Sequence, residues 1–286
     1  MFNFDLTTEM KSLNLNDKRL NNRCIELLKS FEKKPQESIP TACETHAEIK
    51  AAYRFFKNNK VTSDKILAPH IESTIQRCKT HPVILYLEDT TEQDYTENSN
   101  LQNLNRLDHI NRQGMYCHTA LAITPTGTPL GVLSANFFDR EAEAFSQKRN
   151  YRQTSVEDKE SYRWVKGIRN ANAVAKEIPN TKVVYIADRE GDTFHCLFEG
   201  AKEDTNCDIL IRASKDRNTS VKIKGTEKKY KRLFSTLSEM PVQGELSFKT
   251  YSGHGRKSRL VTQTIQSGQV ELKPHRPQAT VAMLNV

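Results

Sequence analysis

Two aspartates close apolar runs in this chain: Asp89 ends HPVILYLED and Asp188 ends TKVVYIAD. Carboxylates at the ends of neighbouring strands can share a pair of divalent ions. Two ions about 4 Å apart activate a water or a 3′-hydroxyl and stabilise the leaving oxygen in phosphodiester cleavage. Carboxylate oxygen is the donor that Mg²⁺ and Mn²⁺ prefer over thiolate or imidazole. An aspartate after a strand also serves as a turn former or helix N-cap, so residue type leaves both roles open. In YIADREGD the neighbours Arg189, Glu190 and Asp192 read as shaping the strand-to-helix turn.

The elements that must position these residues follow from periodicity. Residues 16–34 place Leu20, Cys24, Leu27, Leu28 and Phe31 at helical spacing, with Asn16 or Asp17 as cap and Pro35 after the end. KPQESIP is a turn-like segment. Thr45 and Glu48 then form a capping-box pattern at the head of THAEIKAAYRFFKNN. A third helix opens at Thr62 or Ser63 and is expected to break or kink near Pro69. Residues 81–89 read as a buried strand that Asp89 closes. GMYCHTALAITPTGTPLGVLSANFFDR reads as a hairpin turning at TPTGTP. Residues 139–163 read as a surface excursion, followed by a helix to Pro179, a strand ending at Asp188, a helix over 190–204 and the strand CDILIRAS. This order, β-β-β-α-β-α-β, predicts a mixed α/β sheet with helices packed on it. Beyond about residue 219, Lys-rich, Gly-containing runs predict a small β excursion, and TVAMLNV reads as the start of a strand.

Charge is divided unevenly. Residues 1–80 hold 14 Lys/Arg against 10 Asp/Glu, residues 81–204 hold 14 against 19, and residues 205–286 hold 15 against 6. Basic ends favour phosphate backbones through counterion release, and an acidic middle is what a divalent-cation site would produce. Six cysteines without C-x-x-C spacing exclude a zinc ribbon or disulfide framework and read as reduced core residues. With no apolar run of membrane-spanning length and no signal-peptide pattern, no membrane partner is expected and the cytoplasm is the expected compartment.

Residues 34–96, with GMYCHTALAITPTGTPLGVL and YIADREGD and its following helix, resemble the Tn5-type DDE transposases of the IS4 group, in order and in spacing. The resemblance implies three regions: a helical transposon-end DNA-binding domain over 1–80, an RNase H-like mixed-sheet core over 81–218, and a β-rich insertion over 219–286. It implies Mg²⁺ (or Mn²⁺) as cofactor, a synaptic dimer on double-stranded inverted-repeat ends, cleavage through a hairpin intermediate, and strand transfer. Asp89 and Asp188 take the places of the first two catalytic, metal-binding carboxylates. THAEIKAAYRFFKNN matches the block that contacts the terminal repeat. On it Lys50, Arg54 and Lys57 are the expected DNA-contacting cations, sharing one helix face, with Tyr53 beside them; Tyr53, Phe55 and Phe56 are all open to a core role, and Phe56 at least is expected in the core. Arg212, Lys215 and Arg217 match a basic segment near the scissile phosphate or form an exposed basic loop. Thr90 and Thr91 read as turn residues or as hydrogen-bond partners of the site, and His118 as structural.

The family's third carboxylate is a glutamate on a helix beyond the insertion, and nothing here matches it. Glu227, Glu239, Glu245 and Glu271 lack that context, and the chain stops at LNV, before that helix and before the family's dimerisation helices. The core is therefore expected to be incomplete, the chain truncated and its metal-dependent cleavage impaired. The alternative is a non-catalytic DNA-binding regulator or inhibitor of a full-length transposase. An RNase H-like nuclease recruiting Glu190 or Asp192 is a third reading.

Overall fold

The computed structural model describes residues 5–98, 101, 104–109, 111–140, 155–220, 230–252, 257–272 and 282–285. It has two compact units, Met1–Asn150 with Ala173–Tyr185, and Tyr151–Asn172 with Ile186–Val286. The fold is mixed α/β, with N-terminal helices preceding a mixed sheet.

The first unit opens with five helices: α1 (Leu6–Glu9), α2 (Lys18–Lys33), α3 (Ile39–Ala42), α4 (His46–Phe56) and α5 (Ser63–Cys78). Asp5 caps α1 and Asp17 caps α2, each accepting from N–H groups of the first turn that have no partner within the helix. Cys24 and Leu27 of α2 bury against a cluster that includes Leu15, Ala52 and Phe55. Each large side chain taken out of water there contributes about 1.5–3 kcal/mol. Of the break or kink expected near Pro69, the break does not occur. Helix α5 runs unbroken through it, and Pro69 is buried, so packing holds the helix across the missing N–H.

The sheet of this unit runs in the order β3-β2-β1-β4, with β1 (Val83–Asp94), β2 (Gly114–Ile123), β3 (Pro129–Phe138) and β4 (Lys182–Ala187). The turn between β2 and β3 is TPTGTP as expected. Gly127 has φ +88° and its N–H donates to the Thr124 carbonyl, a backbone conformation that costs glycine nothing. Strand β1 is longer than its apolar run. It does not end at Asp89 but continues to Asp94, pairing residue by residue with β2 from Leu85↔Ile123 to Asp94↔Gly114. The β-branched pair Thr90–Thr91 extends the ladder where the hydrophobic signal has already stopped. Asp89 is thus a mid-strand residue opposite Thr119. Alternation buries Ile84, Tyr86 and Glu88 on one face and leaves Asp89 exposed on the other.

Helix α5 packs on β3 within this unit. His70 Nε2 accepts the Val132 N–H at 2.9 Å, and Arg77 Nε donates to the Leu130 carbonyl. Gly131 lies between them with φ +143°, and a Cβ there would come within 2.2 Å of Thr74 Oγ1.

In the second unit the first turns of α6 (Tyr162–Glu177) bury Trp164, Val165 and Ile168. The end of β4 leads into a 3-10 turn, Arg189–Gly191, then α7 (Phe194–Gly200) and β5 (Asp208–Ile211). The Arg212 N–H after β5 donates to the Ala187 carbonyl at the end of β4. A second sheet runs in the order β11-β10-β6-β7, from β6 (Asn218–Ser220), β7 (Tyr230–Arg232), β10 (Gln269–Leu272) and β11 (Ala282–Asn285). The terminal strand has its partner, with Gln269 opposite Asn285. A helix the sequence did not signal, α8 (Leu233–Ser238), follows β7, and its Leu233 packs with Val270 and Leu272. Strands β8 (Val242–Lys249) and β9 (Leu260–Gln266) form a separate hairpin.

All six cysteines are buried thiols. Burial pushes the thiols of Cys24, Cys78 and Cys207 up to about 11. Among the described residues no helix is long and apolar enough to cross a membrane.

Candidate nucleic-acid interface and carboxylate sites

Helix α4 begins with the capping box that its sequence predicts. Thr45 Oγ1 accepts the Glu48 N–H at 3.2 Å, and Glu48 Oε2 accepts the N–H groups of Thr45 and Glu44 at 3.1 and 2.8 Å. Those two N–H groups hold the Glu48 carboxyl below its usual range. The helix's one acidic side chain is thereby spent on its own N-terminus. Ala52 and Phe55 face the core, and Lys50, Tyr53, Arg54 and Lys57 are exposed on the other side. Among the described residues none of the three cations pairs with a carboxylate. Arg54 also lies in the last turn, where a positive charge complements the helix dipole.

Phe56 is not in the core, contrary to expectation. It is 48% exposed, and the adjacent Phe55, at 3%, takes the buried position. Phe55 follows Ala52 by three residues and so shares its face. Phe56 falls on the flank of the exposed face, in edge-to-face contact with Phe55 at 5.3 Å. The outward surface of α4 is therefore cationic and aromatic.

The two candidate carboxylates have different settings. Asp89 projects from the regular ladder of β1, exposed, with Oδ1 accepting the Thr90 N–H at 2.7 Å. Asp188 follows β4, is exposed, and caps the 3-10 turn through Oδ1, which accepts the Glu190 N–H at 2.8 Å. Among the described residues no group of three or more His, Cys, Asp or Glu side chains is placed to hold a metal ion. Exposed carboxylate oxygens do suit Mg²⁺, which keeps several waters and takes one or two carboxylates together with substrate phosphates. Of the later glutamates, Glu239 pairs with Lys231, Glu245 lies in β8, Glu271 is buried in β10, and Glu227 lies outside the described residues.

Asp192 is a structural hub that sequence reasoning missed. It is 2% exposed, and one of its oxygens accepts the N–H groups of Ser214 and Lys215 at 2.7 and 2.9 Å. Its other oxygen meets Arg217 Nη1, while Arg217 Nη2 donates to the Asp192 carbonyl at 2.7 Å. Burial works against the charged carboxylate, but those N–H donors and Arg217 outweigh it and hold the group below its usual range. The Arg217 guanidinium is thus engaged inside the protein, whereas Arg212 and Lys215 are exposed. Glu190 pairs with Arg163 at 2.9 Å. A cleft of about 690 Å³ in this unit is lined chiefly by apolar side chains such as Leu197, Ile209 and Leu272, with Asp192 and Arg217 in its wall.

Glu88 and His118 were also missed as a pair. Both are buried, with His118 Nε2 3.2 Å from Glu88 Oε1. The alternation Ile84, Tyr86, Glu88 in β1 was the available signal, because it puts a carboxylate on the buried face.

Residues 6–61 match the family described as Transposase DNA-binding, a segment that contains α1 to α4 and the exposed set Lys50, Tyr53, Arg54 and Lys57. No curated protein matches the chain. A solved structure described as "Cryo-EM structure of piggyBac transposase synaptic complex with hairpin DNA (SNHP)" is similar over 93% of this chain, at 9% identity and a TM-score of 0.35. The alignment covers 51% of that protein, so this chain spans about half its length. The N-terminal helices are similar in sequence to transposase DNA-binding domains.

Proposed function

We propose that the chain is a protein of DNA transposition that binds double-stranded DNA at transposon inverted-repeat ends through the outward face of α4. The observation that carries this reading is the exposed set Lys50, Tyr53, Arg54 and Lys57, unopposed by any acid on its own face, inside the segment similar to transposase DNA-binding domains. Lysine and arginine on one helix face suit phosphate contact, and an exposed tyrosine suits contact with sugar or base edges. Arg212 and Lys215 would add contacts to the phosphate backbone.

The finer reading is an IS4-group, Tn5-type enzyme. Its antiparallel β1-β2-β3 meander with β4 following agrees with an RNase H-like core. Asp89 and Asp188 would hold Mg²⁺ or Mn²⁺, which when bound supplies an activated oxygen nucleophile and stabilises the leaving oxygen. The chain's own part in that chemistry is to hold the DNA by α4 and to present two exposed carboxylates. A homodimer on the paired ends belongs to the same reading. The second reading, a non-cleaving DNA-binding regulator, draws on Asp188, whose Oδ1 already serves its own turn.

Band-shift titration with inverted-repeat duplex tests the central claim. A specific shift that Lys50→Ala with Arg54→Ala abolishes supports it. Equal affinity for scrambled duplex, or no effect of the double substitution, refutes it. Incubation of the same complexes with Mn²⁺ and end-labelled DNA separates enzyme from regulator by the presence or absence of Asp89-dependent nicking.

A further inference from the structure

Neighbouring side chains of a strand point to opposite faces. Asp89 is exposed, while Glu88 and Thr90 on either side of it point to the covered face of β1. There they meet one residue. His118, 4% exposed, sits directly opposite Thr90 on β2. Its Nδ1 is 2.8 Å from Thr90 Oγ1, and its Nε2 is 3.2 Å from Glu88 Oε1. The other oxygen of Glu88 accepts the Tyr185 hydroxyl at 2.6 Å, and the Tyr185 ring stacks on Tyr86 at 5.9 Å. A single imidazole therefore lies against both residues that flank Asp89, hydrogen-bonded to Thr90 and within ion-pair distance of Glu88, and β4 braces Glu88 through Tyr185.

We propose that His118 is a positioning residue for Asp89. By holding Glu88 and Thr90 from beneath, it fixes the backbone from which the Asp89 carboxylate projects, so that a divalent cation meets an oxygen already in place. The inference rests on the reading of Asp89 as a cation ligand. A carboxylate free to rotate with a loose strand loses order on binding an ion, and one held in advance does not. Removal of groups that orient a ligand weakens metal binding by about 10–100-fold in metalloproteins.

The test uses the full chain and Mn²⁺ as probe, with bound ion followed by electron paramagnetic resonance. Four proteins are compared: unaltered, Asp89→Asn, His118→Gln and Thr90→Val. The last keeps side-chain volume and removes the hydroxyl that reaches Nδ1. Melting temperature, hydrogen exchange of β1 and affinity for the same duplex are measured alongside. The expected result is loss of the bound ion in Asp89→Asn and a fall of about 10-fold or more in Mn²⁺ affinity in both other variants. Exchange should quicken only in β1 and the stretch of β2 paired with it, and DNA affinity should not change. Unaltered Mn²⁺ affinity in Thr90→Val and His118→Gln would overturn the inference and leave the cation reading standing. A weakened His118→Gln with a lowered melting temperature, beside an unaffected Thr90→Val, would also overturn it by assigning His118 a packing role alone. If Asp89→Asn changes nothing, the cation reading fails and takes the inference with it, while binding of DNA by α4 stands apart.

Discussion

Arg77 grips Glu9 through two parallel hydrogen bonds, Nη1 to Oε2 at 2.7 Å and Nη2 to Oε1 at 2.9 Å, across 68 residues of chain. His70 Nδ1 adds a third contact at 2.6 Å, and Glu9 is 6% exposed. Since Arg77 and His70 also bond to β3, the short helix α1 is tied through α5 to the sheet. Removing one partner of a buried ion pair leaves the other charge uncompensated. Glu9→Gln is expected to lower stability by about 3 kcal/mol, read from the urea midpoint.

The same carboxylate makes stability depend on pH. Burial raises the pKa of Glu9, but the Arg77 hydrogen bonds, the Arg77 charge and His70 outweigh it, so the folded value is lowered. Asp192 is lowered in the same sense. A depressed folded pKa means that the unfolded chain takes up protons first as pH falls. The stabilisation is therefore complete above the ordinary carboxylate range of about 4 and is lost as pH drops through the lowered folded values. Urea midpoints should hold level from pH 6 to about pH 5 and fall from there towards pH 3, and Glu9→Gln should flatten the first unit's share of that fall.

Adjacent phenylalanines of α4 should separate stability from binding. Phe55→Ala opens a cavity in the helical core and is expected to cost about 3–5 kcal/mol. Phe56→Ala removes a half-exposed ring and should change stability by less than about 1 kcal/mol, while weakening DNA binding. A denaturation curve and a band-shift on each variant suffice. Equal losses of stability in both would contradict the assigned helix phase.

Salt dependence counts the phosphate contacts of α4. Replacing Lys50, Arg54 and Lys57 together by alanine should reduce the slope of log K against log salt by about 2–3, near 0.9 for each phosphate released. Arg217→Ala should behave differently. Its guanidinium is held by Asp192, so the expected loss is in stability, with DNA affinity and salt slope near those of the unaltered protein. A changed slope in Arg217→Ala would show that the arginine reaches DNA.

What could be read from the sequence was what is local. The capping box of α4 spans four residues, and Thr45-x-x-Glu48 announces it without help from the rest of the chain. The phase of the helix was legible too, since Ala52 and Phe55 are three apart. That spacing puts Phe55 in the core and Phe56 outside it. The end of β1 was not legible, because Thr90 to Asp94 are held by pairing with β2 and carry no apolar signal of their own. Asp192 and Glu9 were invisible for the same reason. Their partners lie 25 and 68 residues away, and a lone acid in a sequence does not name its cation. His118 needed the register of β2 before its place between Glu88 and Thr90 could be seen.

The continuation of β1 past its apolar run changes what kind of residue Asp89 is. An aspartate on a loop can follow its ligand, turning with the backbone as the ligand moves. Asp89 has ladder partners on both sides of it, Glu88↔Ala120 and Thr90↔His118, so its main chain moves only as part of the strand. It is a fixed post. Any group that works with it, whether ion, phosphate or second acid, has to be delivered to its position, and adjustment during binding falls to the arriving partner.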